Sequence, residues 1–103
     1  MRVYIAGPMR GLPEYNYTTF DATEKRLEEQ GHSVINPANI GRAHFGNRKD
    51  LSEDELEFLM SEELRLLVEC EAIFLLKGWH KSKGARKELY HAIGNGLDVI
   101  LEK

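Results

Sequence analysis

The sequence is poor in the features that mark several large classes of protein. A single cysteine, Cys70, stands among 103 residues, so no disulfide can form within the chain, and a lone cysteine is typical of a reducing compartment. Basic side chains are not in excess: 14 Lys and Arg face 17 Asp and Glu, whereas nucleic-acid-binding domains are usually strongly basic. No apolar run is long enough for a membrane span or a signal-peptide core. These absences predict a cytoplasmic protein that binds neither nucleic acid nor membranes.

Repeats, low-complexity tracts and linker-like segments are also absent from the sequence. A chain of this length forms one small domain, which we place at residues 1–103. The apolar fraction of 42% is enough for a modest core that a partner subunit would help to complete.

Short apolar runs alternate with segments of helical periodicity along the chain. Alternation of this kind predicts an α/β fold, with a parallel sheet of four to five strands and helices on both faces. The first helix carries Tyr17, Phe20 and Leu27 on one face, and a Ser52–Glu55 capping box opens the second. The predicted strands are residues 3–6, 33–35, 72–76 and 98–101, and the predicted helices are residues 16–30, 52–69 and 84–95.

Residues 36–50 show no clear period and contain the basic side chains Arg42, His44, Arg48 and Lys49. Such a stretch is long for a loop in a compact domain. We interpret it as a lid or a binding loop.

Two loops that follow predicted strands carry the strongest signals for ligand binding. In a parallel sheet, ligands bind beyond the carboxyl ends of the strands, so residues 7–11 and 78–84 should meet in one crevice. The second loop leads into a helix, whose free amides attract anions, and Gly84 leaves its amide unobstructed. Ser82 is either a phosphate ligand or an ordinary helix cap. Arg10 is either a bidentate phosphate ligand or an exposed arginine.

Two glutamates interrupt apolar helix faces. Glu63 lies within the stripe that contains Met60 and Leu67, and Glu88 borders the face that contains Ala85 and Ala92. Paired carboxylates in one crevice can divide the roles of acid and nucleophile, and glycosidic bonds are their usual target. The alternative is that each carboxylate extends to solvent or pairs with a basic residue.

Other chemistry-bearing residues leave more than one interpretation open. Tyr4, inside an aliphatic strand, is either a core residue or a hydroxyl directed at the crevice. Trp79 either covers the crevice and stacks on a base, or lies at a rim or interface. The four histidines and Cys70 lack metal-ligand spacing, so the sequence implies no metal and no redox cofactor.

Taken together, these motifs resemble the nucleoside 2-deoxyribosyltransferase-like superfamily. The resemblance is closest to a group of short proteins common in bacteriophages and prophages, the DUF4406 type, and it covers essentially the whole chain. It is carried by Glu63 and by two segments, Tyr4-Ile5-Ala6-Gly7-Pro8-Met9-Arg10-Gly11 and Gly78-Trp79-His80-Lys81-Ser82-Lys83-Gly84-Ala85-Arg86-Lys87-Glu88.

The resemblance implies a flavodoxin-like three-layer sandwich that cleaves or exchanges N-glycosidic bonds. It implies that Glu88 is the nucleophile at the anomeric carbon of the sugar and that Tyr4 orients it. Glu63 stands where relatives usually carry an aspartate that handles the base, so its side chain is one methylene longer.

Within the superfamily, the nucleotide hydrolases hold a 5′-phosphate, whereas the transferases act on free nucleosides. Ser82, Gly84 and Arg10 match the phosphate-holding residues, which favours a deoxynucleoside 5′-monophosphate N-glycosidase. A deoxyribosyltransferase and a non-catalytic module that sequesters a nucleotide are the alternatives. Many relatives are dimers or larger, so the resemblance also implies a homo-oligomer.

Overall fold

The computed structural model describes residues 1–48 and 50–103, which form strands and helices in regular alternation. Two single 3₁₀ turns, Pro13–Asn16 and Trp79–Lys81, precede the first and last helices. The strands are β1 (Arg2–Ala6), β2 (Ser33–Ile35), β3 (Ala72–Leu75) and β4 (Asp98–Leu101), and the helices are α1 (Tyr17–Glu29), α2 (Pro37–Phe45), α3 (Glu53–Leu67) and α4 (Lys83–Gly94).

The strands pair in the order β2-β1-β3-β4, and every pairing is parallel. In the centre of the sheet, Val3 is level with Val34 on one side and with Ala72 on the other. The α/β fold, the flavodoxin-like sandwich and the four strands predicted from the apolar runs are all confirmed.

Helices cover both faces of the sheet because side chains alternate along each strand. On one face, Val3 and Ile5 pack with Phe20 of α1 and Ala38 of α2. On the other face, the remaining strand side chains pack against α3 and α4, in a cluster that includes Tyr4, Ile73, Leu67 and Leu89. The result is a three-layer sandwich with β1 and β3 buried at its centre.

The segment 36–50 differs from its prediction. We expected a loop, but Pro37–Phe45 forms α2. The Asn36 side chain accepts a hydrogen bond from the Ala38 amide, and Pro37 occupies the first helical turn. Asn-Pro can end a strand or begin a helix. Both apply here, since β2 ends at Ile35, directly before Asn36. Lys49 lies outside the described residues.

The chain order places a switch point between the two central strands. The chain moves from β1 to β2 on one side and then returns to β3 on the other, so the carboxyl ends of β1 and β3 border an open crevice. Within the described ranges, no helix is long and apolar enough to cross a membrane.

Candidate active site

A cleft of about 610 Å³ opens at the carboxyl ends of β1 and β3. The loop after β1 forms one wall with Gly7, Pro8, Met9 and Arg10, and the start of α4 forms another. The predicted meeting of these two loops in one crevice is therefore confirmed. Apolar side chains of α3, which include Leu56, Leu59 and Met60, form a third wall.

Glu88 lies in the second turn of α4 and points into this cleft. It is only 5% exposed, and the Tyr4 hydroxyl donates a short hydrogen bond to its Oε2 atom. Tyr4 is fully buried in β1, where neighbouring strands fix its position. Both interpretations of Tyr4 are thus partly right, since its ring belongs to the core and its hydroxyl reaches the cleft carboxylate.

Glu63 reaches the same cleft from α3 and is 8% exposed. The interpretation that it extends into solvent is therefore wrong. Among the ion pairs of the described chain, none involves Glu63; the closest ion pair at the cleft joins Arg10 to Glu53 at 3.6 Å. The two out-of-place glutamates are thus buried in one cavity, one on the α3 wall and one on the α4 wall.

Burial raises the pKa of both carboxyls. For Glu63 the negative charge of Glu88 adds to this effect, while the positive charge of Arg10 opposes it, and its pKa lies well above 4.5. For Glu88 burial raises the pKa to about 8, although the hydrogen bond from Tyr4 lowers it. The pair therefore retains a proton near neutral pH. Because Tyr4 stabilises the ionised form of Glu88, the arrangement favours a proton on Glu63 and a charge on Glu88.

The start of α4 has the geometry of an anion site. The Ser82 hydroxyl oxygen accepts a hydrogen bond from the Ala85 amide at 3.1 Å, which makes Ser82 a helix cap and leaves its own proton to donate. Within the described hydrogen bonds, the Lys83 and Gly84 amides have no acceptor. A Cβ on Gly84 would lie 3.2 Å from the Met60 Cε atom, so glycine also permits close packing of α4 beside α3.

Two predicted binding residues lie elsewhere. Gly11 is exposed beyond the cleft lining. Trp79 is partly buried against the apolar cluster between the sheet, α3 and α4, because the turn Trp79–Lys81 directs the indole towards apolar surface. The structure therefore supports the rim interpretation of Trp79 rather than a cover over the cleft. None of the described residues of the segment 36–50 lines the cleft either.

Two further tyrosines, Tyr15 and Tyr17, line the cleft and were not predicted from the sequence as site residues. The turn before α1 places them there with positive φ angles of 52°, 54° and 62° at Glu14, Tyr15 and Asn16. Such angles are costly for residues other than glycine, and the Asn16 side chain supports the turn by donating a hydrogen bond to the Pro8 carbonyl at 3.0 Å. The clustering of tyrosines after the Gly-Pro loop was the available signal.

A metal site is not part of this arrangement. Among residues 1–48 and 50–103, no group of three His, Cys, Asp or Glu side chains could hold a metal ion. The side chains at the cleft supply carboxylates, phenols and hydrogen-bond donors.

Comparison with known proteins places the chain in a family. Residues 1–101 match the model of the family described as a domain of unknown function, DUF4406, and the chain belongs to that family. No curated protein matches its sequence. Among solved structures, it is similar to the 2-deoxyribosyltransferase of Bacillus psychrosaccharolyticus, with a TM-score of 0.73 and 19% identity over 98% of this chain and 71% of that one. At this identity the likeness shows a shared fold, that of a protein described as a biocatalyst for nucleoside synthesis.

Proposed function

We propose that the protein hydrolyses the N-glycosidic bond of a deoxynucleoside 5′-monophosphate. The observation that carries the proposal is the placement of Glu88, a buried carboxylate that Tyr4 orients, four residues after Gly84 on the same helix. Residues four apart lie one above the other, about one helical turn or 5–6 Å apart. A phosphate bound at the free amides of α4 would thus be separated from Glu88 by the length of a sugar.

The proposed reaction has two steps. The ionised Glu88 carboxylate attacks the anomeric carbon, the bond to the base nitrogen breaks, and its electron pair leaves with the base, which takes a proton from Glu63. Water then attacks the anomeric carbon of the glycosyl-enzyme ester and gives a proton to Glu63. The ester bond breaks, and Glu88 is released as a carboxylate. The products are the free base and a 2-deoxyribose 5-phosphate.

The anion site at α4 favours a nucleotide over a nucleoside. Ser82, Lys83 and Gly84 offer one hydroxyl and two amides to a single anion, and Lys81 and Lys87 line the same side of the cleft. Arg10 also lines the cleft, with its side chain 60% exposed, and it pairs with Glu53. A phosphate would draw the guanidinium away from that exposed pair at little cost, because surface ion pairs contribute little stability.

A deoxyribosyltransferase is the second candidate, and the fold shared with a solved 2-deoxyribosyltransferase favours it. The chemistry is the same up to the glycosyl-enzyme. The difference is the second step, in which a base instead of water attacks the anomeric carbon.

Self-association is part of the proposal. Three apolar side chains on α4 and β4, those of Tyr90, Ile93 and Leu101, are 69%, 57% and 57% exposed. We infer that a second copy of the chain covers this surface, and sedimentation velocity would show a dimer or larger species. A monomer at micromolar concentration would contradict this part.

Chromatography of a panel of ribo- and deoxynucleoside 5′-monophosphates, with the matching nucleosides, tests the proposed reaction. We expect the purified protein to release free base from a deoxynucleotide faster than from its nucleoside. Addition of a second free base distinguishes the candidates, because a transferase would form a new nucleoside or nucleotide. If every compound stays intact, hydrolysis and transfer are both refuted, and sequestration of a nucleotide becomes the better account.

A further inference from the structure

Tyr17 lines the cleft, and the proposed reaction does not use its hydroxyl. It is the first residue of α1, it is partly buried, and it lines the same cavity as Glu63 and Glu88. Within the part of the chain that the structure describes, its hydroxyl takes part in no hydrogen bond, unlike Tyr4. A polar group held in a cleft without a protein partner is available to a ligand.

The Tyr17 side chain is held in place from two sides. The Arg42 guanidinium stacks over its ring, 5.2 Å from the centroid, and Arg42 is itself fixed by two hydrogen bonds to Asp21 of 3.1 and 2.9 Å. Gly41 gives the hydroxyl its space, since a Cβ there would lie 2.1 Å from the Tyr17 oxygen. Glycine is therefore required at position 41 for this orientation.

The position of Tyr17 within the cleft indicates which part of a ligand it meets. Its hydroxyl oxygen lies beside Gly41 of α2, and its side chain lines the cavity that Glu63 also lines, whereas the anion site lies at α4. Burial raises the pKa of Tyr17 above its ordinary value of 10, although Arg42 lowers it, so the phenol keeps its proton near neutral pH. The hydroxyl can therefore donate a hydrogen bond beside the carboxyl that serves the departing base.

We propose that Tyr17 is a specificity-determining residue that donates a hydrogen bond to an acceptor on the base, either a carbonyl oxygen or a ring nitrogen. The ligand's identity as a nucleotide rests on the proposed function. A base without an acceptor at this position would leave the hydroxyl unpaired in a partly buried site, which disfavours its binding.

Isothermal titration calorimetry tests this proposal in a Glu88→Gln background, where ligands stay intact. The ligands are the nucleoside 5′-monophosphates of the panel and 2-deoxyribose 5-phosphate, which has no base. We expect Tyr17→Phe to weaken the affinity for the tightest-binding nucleotide roughly 3- to 10-fold, the range for one hydrogen bond. The affinity for the sugar phosphate should stay unchanged. Tyr90→Phe, the same change at a tyrosine outside the cleft lining, keeps the aromatic ring and should alter neither affinity.

Gly41→Ala provides a second variant, because it keeps the hydroxyl and displaces it. We expect the same selective loss of nucleotide affinity. Unchanged nucleotide affinity in Tyr17→Phe would overturn the proposal, and so would an equal loss for the sugar phosphate, which would indicate a purely structural role. Failure of the proposed reaction can be distinguished from failure of this proposal. If the reaction fails, the wild type releases no base, but a selective loss of nucleotide binding in Tyr17→Phe still supports the hydrogen bond from Tyr17 to the base. Failure of the Glu88→Gln protein to bind any nucleotide would overturn it.

Discussion

The Tyr4 hydroxyl donates a hydrogen bond to Glu88 Oε2, and this contact joins two residues that are 84 positions apart in the chain. Tyr4 is anchored in the central strand β1, and Glu88 lies on α4, so the contact fixes the carboxylate relative to the loop after β1. It also favours the charge on Glu88, because a hydrogen bond to the ionised form lowers the pKa that burial raises.

The first prediction concerns the pH dependence of the reaction. Attack requires ionised Glu88, whose pKa is raised to about 8 by burial, so kcat/KM should rise with pH up to about that value. Tyr4→Phe removes the hydrogen bond that lowers this pKa, so the rise should move to higher pH. A pH profile of base release checks this, with Tyr90→Phe as the control. A rise at unchanged or lower pH in Tyr4→Phe would contradict the role of Tyr4.

The second prediction concerns stability. The pKa of Glu88 is about 8 in the folded protein, against an ordinary value of 4.5, so folding favours its protonated form. The contribution of this proton to the free energy of unfolding is complete below about pH 4.5 and is lost as pH rises through about 8. Glu88→Gln mimics the protonated form at every pH. Its melting temperature should therefore match the wild type at pH 5 and exceed it by roughly 5 °C or more at pH 9.

Thermal unfolding followed by circular dichroism at these two pH values tests the stability prediction. Glu62→Gln is the control, because it makes the same change at a helical glutamate that pairs with Arg65 near the surface and does not line the cleft. We expect no comparable gain in melting temperature for this variant at pH 9. A Glu88→Gln difference that is independent of pH would mean that the buried carboxyl is not protonated on folding.

The third prediction separates phosphate binding from helix capping. Ser82→Ala removes both the cap of α4 and a hydroxyl that faces the anion site, whereas Ser52→Ala removes only the cap of α3. Each change should cost about 1 kcal/mol of the free energy of unfolding. Only Ser82→Ala should also raise KM for the nucleotide, while KM for the matching nucleoside stays unchanged. Equal effects on both substrates would contradict the anion site.

The fourth prediction concerns the departure of the base. Glu63→Gln cannot donate a proton, so kcat should fall by about 10²-fold or more, the usual contribution of general acid catalysis. The loss should be smaller for a base that leaves readily as an anion. Single-turnover rates for two bases of different leaving-group pKa would show this. The same loss for both bases would indicate that Glu63 positions the substrate and does not protonate the base.

The elements that sequence periodicity predicts well here are those with a strong apolar pattern. The four strands are short apolar runs, and α3 has both a capping box and an apolar stripe. Glu63 and Glu88 could be identified because each interrupts such a stripe, and a buried charge conflicts with the pattern around it. The helix α2 could not, because it has only nine residues and its Asn-Pro start also fits the end of β2.

The role of Tyr17 illustrates what a sequence pattern does not contain. Its aromatic ring fits the apolar face of α1, so the periodicity is satisfied and does not by itself point to the hydroxyl. The space for that hydroxyl comes from Gly41 on another helix, which is a tertiary contact. Trp79 shows the converse, since an aromatic residue beside a phosphate corner fits a stacking role, yet it packs on the apolar cluster.

The rate of base release by Glu88→Gln tests most directly whether Glu88 is the nucleophile. The substrate is the deoxynucleotide that the wild type cleaves. Glu62→Gln serves as the matched control, and the melting temperature at the assay pH shows that each variant is folded. We expect the rate of base release by Glu88→Gln to fall about 10³-fold or more, while this variant is at least as stable as the wild type. Glu62→Gln should keep full activity. Base release by Glu88→Gln at the wild-type rate would show that Glu88 is not the nucleophile.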